Sequence, residues 1–127
     1  VTVYEKEGHP GGQFRTPEFA DALEAQIRFL KAEGIEFRCN TPVGDGEAVT
    51  VRSLRAHHVK AVILATGAAR DKAERTTPPF ASIVDITPDQ FIDADPLTLA
   101  TRTNGVFAAG PVRGGSPLAP HEVRDAF

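Results

Sequence analysis

The feature that most constrains the fold is an unbroken apolar run, Ala61–Ala65, which ends at Thr66 and Gly67. A strand with one face in water alternates apolar and polar residues, whereas this run has no polar position to turn toward solvent. It therefore predicts a strand covered on both faces, as in a parallel α/β sheet. Ligands of such sheets gather beyond the carboxyl ends of the strands. Gly67 stands at that end and, lacking a side chain, would let a ligand approach the backbone.

A second run of the same form, Gly105–Gly110, combines apolar and small residues with a terminal glycine. It predicts a second buried strand. We expect this strand to lie beside the first one, with the two glycine ends together. The rest of the chain then lies between and around these two strands.

The amino-terminal part predicts a strand, a helix and a strand in that order. Val1–Tyr4 is rich in β-branched and aromatic residues, as strands are. Thr16 and Pro17 predict the helix start, as N-cap and first helical residue, and Gly34 predicts its end. Ile35–Asn40 alternates in polarity and predicts the second strand. The predicted apolar face of the helix consists of Phe19, Leu23, Ile27 and Leu30.

The middle of the chain predicts shorter elements. Gly44–Gly46 predicts a turn that leads into a short exposed strand, Glu47–Val51. Ser53–Lys60 is then interpreted as a connecting turn that returns the chain to the apolar run.

After the first apolar run, the chain predicts a loop, a hairpin and a helix. Ala69–Pro79 is polar and ends in turn residues. Ser82–Ile86 and Phe91–Ala94 predict the two short strands of a small β-meander, joined by a turn at Thr87–Gln90. Pro120–Phe127 predicts the start of a helix.

The composition bounds the function classes. The 127 residues carry a formal net charge of −3, which argues against a nucleic-acid partner because such a partner requires a basic face. No apolar run approaches membrane-spanning length, so no membrane insertion is expected. The absence of secretory features makes the cytoplasm the default compartment. The chain has no methionine and opens directly on a strand, so we expect a piece of a longer protein.

Glu5, at the end of the first predicted strand, has two interpretations. It is a solvated residue at a strand exit, or it accepts hydrogen bonds from two ribose hydroxyls of a dinucleotide. The nearby Gly11-Gly12-Gln13 stretch is likewise an ordinary loop or part of a nucleotide site. His57 and His58 are interpreted as solvated, since adjacent side chains diverge and no carboxylate or cysteine lies at ligand spacing. No acid–base pair and no metal site can be named from the spacing.

Four motifs in a fixed order carry a family resemblance: V-T-V-Y-E-K, G-G-Q, A-V-I-L-A-T-G-A and T-N-G-V-F-A-A-G. In this order they resemble the FAD-binding domain of the pyridine nucleotide-disulfide oxidoreductase superfamily. The resemblance is strongest to the branch that contains the small subunit of glutamate synthase and the A subunit of heterodisulfide reductase. It covers 1–68 continuously and resumes near Ile83. It implies an α/β fold with an incomplete Rossmann-like parallel sheet of an FAD/NAD(P)-binding domain and a small β-meander.

The resemblance also implies cofactor contacts in the amino-terminal half of the chain. Glu5 would bind the adenosine ribose, with Lys6 beside it. Gly12 and Gln13 would lie along the pyrophosphate and ribityl chain. Val43 would meet the adenine edge through its backbone.

Further contacts are implied at the ends of the two apolar runs. Ala65, Thr66 and Gly67 would close over the cofactor, and Gly110 would approach the pyrophosphate or the ribityl chain. The family has an aspartate after A-A-G that accepts a hydrogen bond from a ribityl hydroxyl. Here Pro111 stands at that position and offers no such acceptor.

Two further departures from the family define 1–127 as a partial FAD-binding domain. The phosphate-binding G-x-G-x-x-G would precede the first predicted strand, and an NAD(P)H-binding domain would need more chain than Gly67 and Gly105 enclose. In a 3-2-1-4-5 sheet the absent strand is the middle one, and each buried unpaired group beside it would cost about 1–3 kcal/mol. We expect the gap to be filled by direct pairing of Val1–Tyr4 with Ala61–Ala65, by a second copy or partner chain, or by additional protein.

The resemblance implies a parent flavoenzyme that passes electrons from NAD(P)H through FAD to an iron–sulfur or other acceptor. Because the flavin carries the chemistry, no residue of this chain is predicted to be catalytic. By itself the chain is expected to bind FAD weakly or not at all. The alternative is a non-catalytic, flavoprotein-derived subunit with a structural or docking role in an electron-transfer complex. Pro111 and the short Ala68–Asn104 segment favour this alternative.

Overall fold

The computed structural model describes residues 1–69 and 71–114, and the chain divides into two compact units. Unit 1 comprises Val1–Val43 and Glu47–Val49, and unit 2 comprises Gly44–Gly46 and the chain from Thr50 onward. The helix predicted at Pro120–Phe127 lies outside the described residues.

Unit 1 contains a parallel sheet of two strands. Strand β1, Thr2–Tyr4, pairs with strand β2, Glu36–Arg38, and Val3 stands opposite Phe37. Both strands are shorter than the predicted ranges and lie within them. Parallel neighbours need a crossover connection, and helix α1, Ala20–Ala32, supplies it.

The two ends of α1 were predicted at Thr16-Pro17 and at Gly34. The predicted start at Thr16 and Pro17 is wrong, because the Phe19 amide donates to the Thr16 carbonyl oxygen over 3.1 Å in a turn that precedes the helix. The predicted end is confirmed. Gly34 follows the helix with a φ of +94°, a conformation that glycine adopts at no steric cost.

The predicted apolar face of α1 is only partly covered. Ile27 is buried, Leu23 and Leu30 are half-buried, and Phe19 is 42% exposed. Ile27 is the one fully buried residue among the described residues of unit 1. The helix is therefore held in unit 1 by a narrow apolar contact.

The first helix of unit 2 is α2, Val51–Ala56, and it differs from the elements predicted for this segment. Glu47–Val51 is not a strand, and the first part of Ser53–Lys60 is helical rather than a connecting turn. The Thr50 side chain accepts the Ser53 amide over 3.0 Å, and the Ser53 hydroxyl accepts the Thr50 amide over 3.0 Å. This reciprocal capping box satisfies backbone amides at the helix start and explains why the chain turns helical here.

The two apolar runs form a second parallel pair of strands. Strand β3, Val62–Leu64, pairs with strand β4, Val106–Ala108, and Ile63 stands opposite Phe107. The prediction that the runs lie side by side is confirmed. The prediction that the first run is covered on both faces is wrong, because Ile63 is 67% exposed whereas Leu64 is buried. Successive side chains point to opposite faces of a strand, so the described residues cover the Leu64 face alone.

The two outer edges of the β3–β4 sheet differ in their backbone hydrogen bonds. On the outer edge of β4, the Ala108 amide donates to the Leu99 carbonyl oxygen over 2.9 Å, and the Thr101 amide donates to the Val106 carbonyl oxygen over 3.0 Å. On the other side, β3 has β4 as its one strand neighbour within residues 1–69 and 71–114. No strand of the described part of the chain therefore pairs with the outer edge of β3.

The fold is mixed α/β, with two small parallel sheets of two strands each. Direct pairing of Val1–Tyr4 with Ala61–Ala65, one of the predicted ways to fill the central gap, is not formed, because β1 and β3 belong to separate sheets. A three-residue strand with a single neighbour offers few ladder hydrogen bonds, so each short sheet depends on packing rather than on pairing.

The predicted β-meander is reduced to one bridge. Ile86 and Ile92 form an isolated antiparallel bridge. Ser82–Ile86 is wrong as a strand, because the Val84 amide donates to the Phe80 carbonyl oxygen over 3.0 Å and the chain turns there. The antiparallel hairpin itself is present.

The hydrophobic core lies in unit 2. Its side chains come from α2, β3 and β4 and from the turns between them. The buried apolar residues of this core are Val51, Leu64, Phe80, Val84, Ile92, Val106, Ala108 and Val112. None of the helices in 1–69 and 71–114 combines the length and the apolar character needed to cross a bilayer.

Candidate cofactor site

Glu5 directly follows β1 and is half-buried. Its backbone extends the ladder between the strands, since the Glu5 amide donates to the Arg38 carbonyl oxygen and the Thr41 amide donates to the Glu5 carbonyl oxygen, each over 2.9 Å. Its carboxylate oxygen Oε1 accepts the Glu7 amide over 2.9 Å. The carboxylate is therefore held at the carboxyl end of β1, where the ribose-binding interpretation requires it.

The two residues after Glu5 lie in solvent. Lys6 Nζ is 3.9 Å from Glu7 Oε1, and both side chains are largely exposed. Exposed pairs of this kind contribute little to stability. Lys6 is thus free to reorient toward an anion at small energetic cost.

The glycine loop of unit 1 shows two different uses of glycine. At Gly11, with a φ of +120°, an added Cβ would lie 2.5 Å from Leu23 Cδ2, so the backbone conformation and the packing against α1 both favour glycine. At Gly12, with a φ of +49°, an added Cβ would meet nothing within 4 Å. Gly12 opens a short 3-10 helix, Gly12–Phe14, in which Gln13 is also exposed. The backbone at Gly12 is therefore open to a ligand.

Val43 is engaged within unit 1. It is half-buried and forms an isolated parallel bridge with Val49. If the Val43 backbone contacts an adenine edge, it would do so through an N–H or C=O group that the bridge to Val49 does not use.

In unit 2, the ends of β3 and β4 meet at one edge of the sheet. The Ala109 amide donates to the Leu64 carbonyl oxygen over 3.0 Å. Gly67 has a φ of +74° and Gly110 a φ of +73°, and at both positions an added Cβ would meet nothing within 4 Å. Two glycines in the left-handed region, with open space above each, thus follow two parallel strands.

The residues between β3 and Gly67 are also accessible. Ala65 and Thr66 are exposed and Gly67 is half-buried. The structure therefore places the unit 2 residues of the predicted site, Ala65, Thr66, Gly67 and Gly110, at the same end of one sheet. The unit 1 residues Glu5, Lys6, Gly12, Gln13 and Val43 lie after β1 and after β2.

Pro111 follows Gly110 at the start of a short 3-10 helix, Gly110–Arg113. Val112 is fully buried, and its carbonyl oxygen accepts the Ile92 amide over 2.8 Å. This segment is anchored by its apolar side chain and its backbone. The Pro111 side chain offers no hydrogen-bond acceptor at the end of β4.

Two surface carboxylates of unit 2 are fixed by local contacts. The Lys72 ammonium lies 2.6 Å from Asp89 Oδ1, and its hydrogen bond and charge hold the pKa of the Asp89 carboxyl below its ordinary value. Hydrogen bonds from the amides of Thr98 and Leu97, each 2.8 Å, lower the pKa of Asp95. Both carboxylates lie outside the predicted site. No metal-binding group of His, Cys, Asp and Glu side chains occurs within residues 1–69 and 71–114.

A pocket of about 250 Å³, which no sequence motif predicted, lies at the other end of the β3–β4 sheet. Arg55 of α2 donates to the Asn104 carbonyl oxygen over 2.8 Å, just before β4 begins. The pocket is lined by Val51, Arg52, Arg55, Ser82, Ile83 and Thr103. The two arginines lie three residues apart on one helix face, a spacing that could have signalled the site once the helix was recognised.

Part of the chain is similar to two proteins of Escherichia coli, each named NAD-dependent dihydropyrimidine dehydrogenase subunit PreT. The protein of strain K12 is 38% identical to this chain over 74 residues, and that of strain O157:H7 is 36% identical over 74 residues. Each match covers 53% of this chain and 17% of the relative. The matched half of the chain thus spans only a small part of the length of these relatives. No protein-family profile and no solved structure matches it.

Proposed function

We propose that this chain is part of the FAD-binding domain of a cytoplasmic, NAD(P)H-dependent oxidoreductase of the pyridine nucleotide-disulfide oxidoreductase superfamily. The observation that carries the proposal is the parallel β3–β4 pair, whose strands end together at open, left-handed Gly67 and Gly110. Similarity to a protein named as an NAD-dependent dehydrogenase subunit supports the same class of chemistry. The sheet pairs β1–β2 and β3–β4 are also the pairs that a 3-2-1-4-5 Rossmann order leaves when its central strand is removed.

The residues present fit FAD in part. In unit 2, the backbone at Gly67 and Gly110 admits close approach of a pyrophosphate or ribityl chain, because no Cβ stands in the way. In unit 1, the Glu5 carboxylate, oriented by the Glu7 amide, suits two vicinal ribose hydroxyls. Pro111 fits less well, since it lacks both a backbone N–H and a side-chain acceptor.

When bound, FAD would supply the hydride and electron chemistry. The chain's own contribution is to bind and orient. Glu5 would accept hydrogen bonds from ribose hydroxyls, and Gly12 would leave space for the phosphates. Ala65, Thr66 and Gly67 would exclude water from one side of the cofactor, with electrons passing on to an iron–sulfur or other acceptor protein.

A partner strand belongs to the same proposal. The open edge of β3 and the exposed side chain of Ile63 are features that a parallel sheet normally covers. We propose that a further strand, from a second copy, a partner chain or additional protein, completes this edge in the functional assembly. The word subunit in the relatives' name fits an assembly of this kind.

The test is to purify the protein as its host makes it and to record its visible spectrum before and after addition of NADH or NADPH. A flavin spectrum that either nucleotide bleaches is the expected result. A colourless protein that gains no flavin on incubation with FAD would exclude the proposal. The 127-residue chain by itself should bind FAD weakly or not at all, and stoichiometric flavin in it would show that Pro111 matters little.

The second candidate is a non-catalytic, flavoprotein-derived subunit with a structural or docking role. Pro111, which starts a 3-10 helix where the family carries an aspartate, favours it. This candidate predicts a colourless protein that nevertheless co-purifies with a flavin-containing or iron–sulfur partner. The same spectrum, recorded on the separated components, distinguishes the two.

A further inference from the structure

The pocket beside α2 carries positive charge that no carboxylate of the described residues pairs. Arg52 and Arg55 both line it. No ion pair within residues 1–69 and 71–114 involves either guanidinium, whereas Arg38 and Arg102 each contact a carboxylate. Arg52 makes no hydrogen bond to any described residue, and Arg55 uses one N–H, on the Asn104 carbonyl oxygen. Two guanidinium groups with unused donors therefore border one pocket.

The other polar residues of the pocket, Ser82 and Thr103, already donate their hydroxyl hydrogen bonds within the protein. The Ser82 hydroxyl and the Ser82 amide both donate to the Asp45 carboxylate. The Thr103 hydroxyl donates to the Ile83 carbonyl oxygen. The hydrogen bonds still available to a ligand thus come from arginine. Asp45, which accepts both Ser82 hydrogen bonds, brings one negative charge to this side of the pocket, so Asp45 and the two arginines together carry one net positive charge.

The walls of the pocket are not purely polar. Val51 is buried and Ile83 half-buried, so both offer carbon surface rather than hydrogen bonds. A volume of about 250 Å³ exceeds that of one small ion. The pocket can therefore take an anionic head together with part of the carbon skeleton to which it is attached.

We propose that this pocket binds a small molecule through an oxyanion, a phosphate or carboxylate group, held by the guanidinium groups of Arg52 and Arg55. Planar guanidinium groups match both oxyanions with paired, charge-assisted hydrogen bonds. The pocket lies where β4 begins, at the opposite end of the sheet from Gly67 and Gly110. It is a second site, independent of the proposed flavin contacts.

The test is an NMR titration of the isotope-labelled chain with inorganic phosphate and, in a separate arm, with acetate. Sodium chloride at equal ionic strength serves as the reference. The backbone amides of α2 and of Ser82 are expected to shift along saturating curves with at least one of the two anions. Saturation with phosphate alone assigns a phosphate site, and saturation with both assigns a general oxyanion site.

The decisive variant is Arg52→Gln, because Arg52 bonds to no described residue and its loss leaves the fold intact. It should weaken anion binding by about tenfold or more, the usual effect of losing a charge-assisted hydrogen bond. The matched control is Arg28→Gln on α1, which removes another exposed arginine without hydrogen bonds or ion pairs to described residues. Linear shifts with both anions, or equal binding by the two variants, would overturn the proposal.

Discussion

The amide of Ala109, one residue beyond the last pair of the β3–β4 register, Leu64 and Ala108, donates to the carbonyl oxygen of Leu64 over 3.0 Å. This bond fixes the two strand ends at the same level. Gly67 and Gly110 consequently leave the sheet from neighbouring points, each with a left-handed backbone.

Gly67→Ala should reduce the free energy of unfolding by about 1–2 kcal/mol, because an L-residue is strained at a positive φ even where space is open. Gly46→Ala is the matched control, since Gly46 has a φ of +83° and equally open space. Urea denaturation should give similar losses for the two variants. If the flavin proposal holds, Gly67→Ala alone should also weaken flavin binding by the host-made protein. Equal binding by the two variants would remove Gly67 from the site.

Thr50→Ala should destabilise unit 2 by about 1 kcal/mol, because it removes the side-chain acceptor for the Ser53 amide at the start of α2. Thr50→Ser keeps the hydroxyl and should retain most of the stability. Chemical denaturation measures both. A Thr50→Ala variant as stable as the parent would mean that α2 is held by the packing of Val51 and not by its cap.

Phe80→Ala should cost about 3–5 kcal/mol, the usual range for removing a buried aromatic ring. Phe80 is 2% exposed in the core of unit 2. Leu97→Ala is the control, since Leu97 is 91% exposed and its truncation should change the free energy of unfolding very little. A small loss for Phe80→Ala in denaturant melts would contradict the burial of the ring.

The lowered pKa of Asp95 predicts the direction in which the free energy of unfolding changes with pH. Its pKa is lowered in the folded chain because its carboxylate accepts the Thr98 and Leu97 amides. The stabilisation is therefore fully present above the ordinary pKa of an unfolded aspartate and is lost as the pH falls through the folded value. Carboxyl carbon NMR should show Asp95 titrating below a reference aspartate. Asp95→Asn, which cannot ionise, should flatten this part of the stability profile.

The residues that could be predicted from the sequence are those with strong local signals. The two apolar runs ending at Gly67 and Gly110 predicted neighbouring strands, and the structure pairs them in parallel. Gly34 predicted the end of α1 for the same local reason, because few residues other than glycine adopt the backbone needed there. Glu5 lies directly after β1, and Gly110 lies shortly after β4, as the ends of the predicted strand Val1–Tyr4 and of the run Gly105–Gly110 indicated.

The predictions that failed at α2 and at Thr16, and the pocket that was not predicted, concern features that local sequence patterns do not determine. α2 is six residues long and its start depends on a bond between Thr50 and Ser53 that hydrophobic periodicity does not reveal. At Thr16, an N-cap sequence was present but the chain made a turn first. The arginine pocket depends on side chains from α2, Ser82 and Thr103, far apart in sequence, so tertiary contacts alone bring it into being.

Ile63 exposes an apolar side chain on one face of β3, a strand whose outer edge has no strand neighbour within residues 1–69 and 71–114. Near pH 5.8 the molecule carries no net charge, so nothing repels one copy from another and edge-to-edge association is expected. Light scattering should rise there, and Ile63→Lys should reduce the rise by placing a charge on the exposed face of β3. Ile63, which its sequence pattern marks for burial, is thus one of several exposed apolar side chains, with Phe29 and Leu97, on which the solubility of the isolated chain would depend.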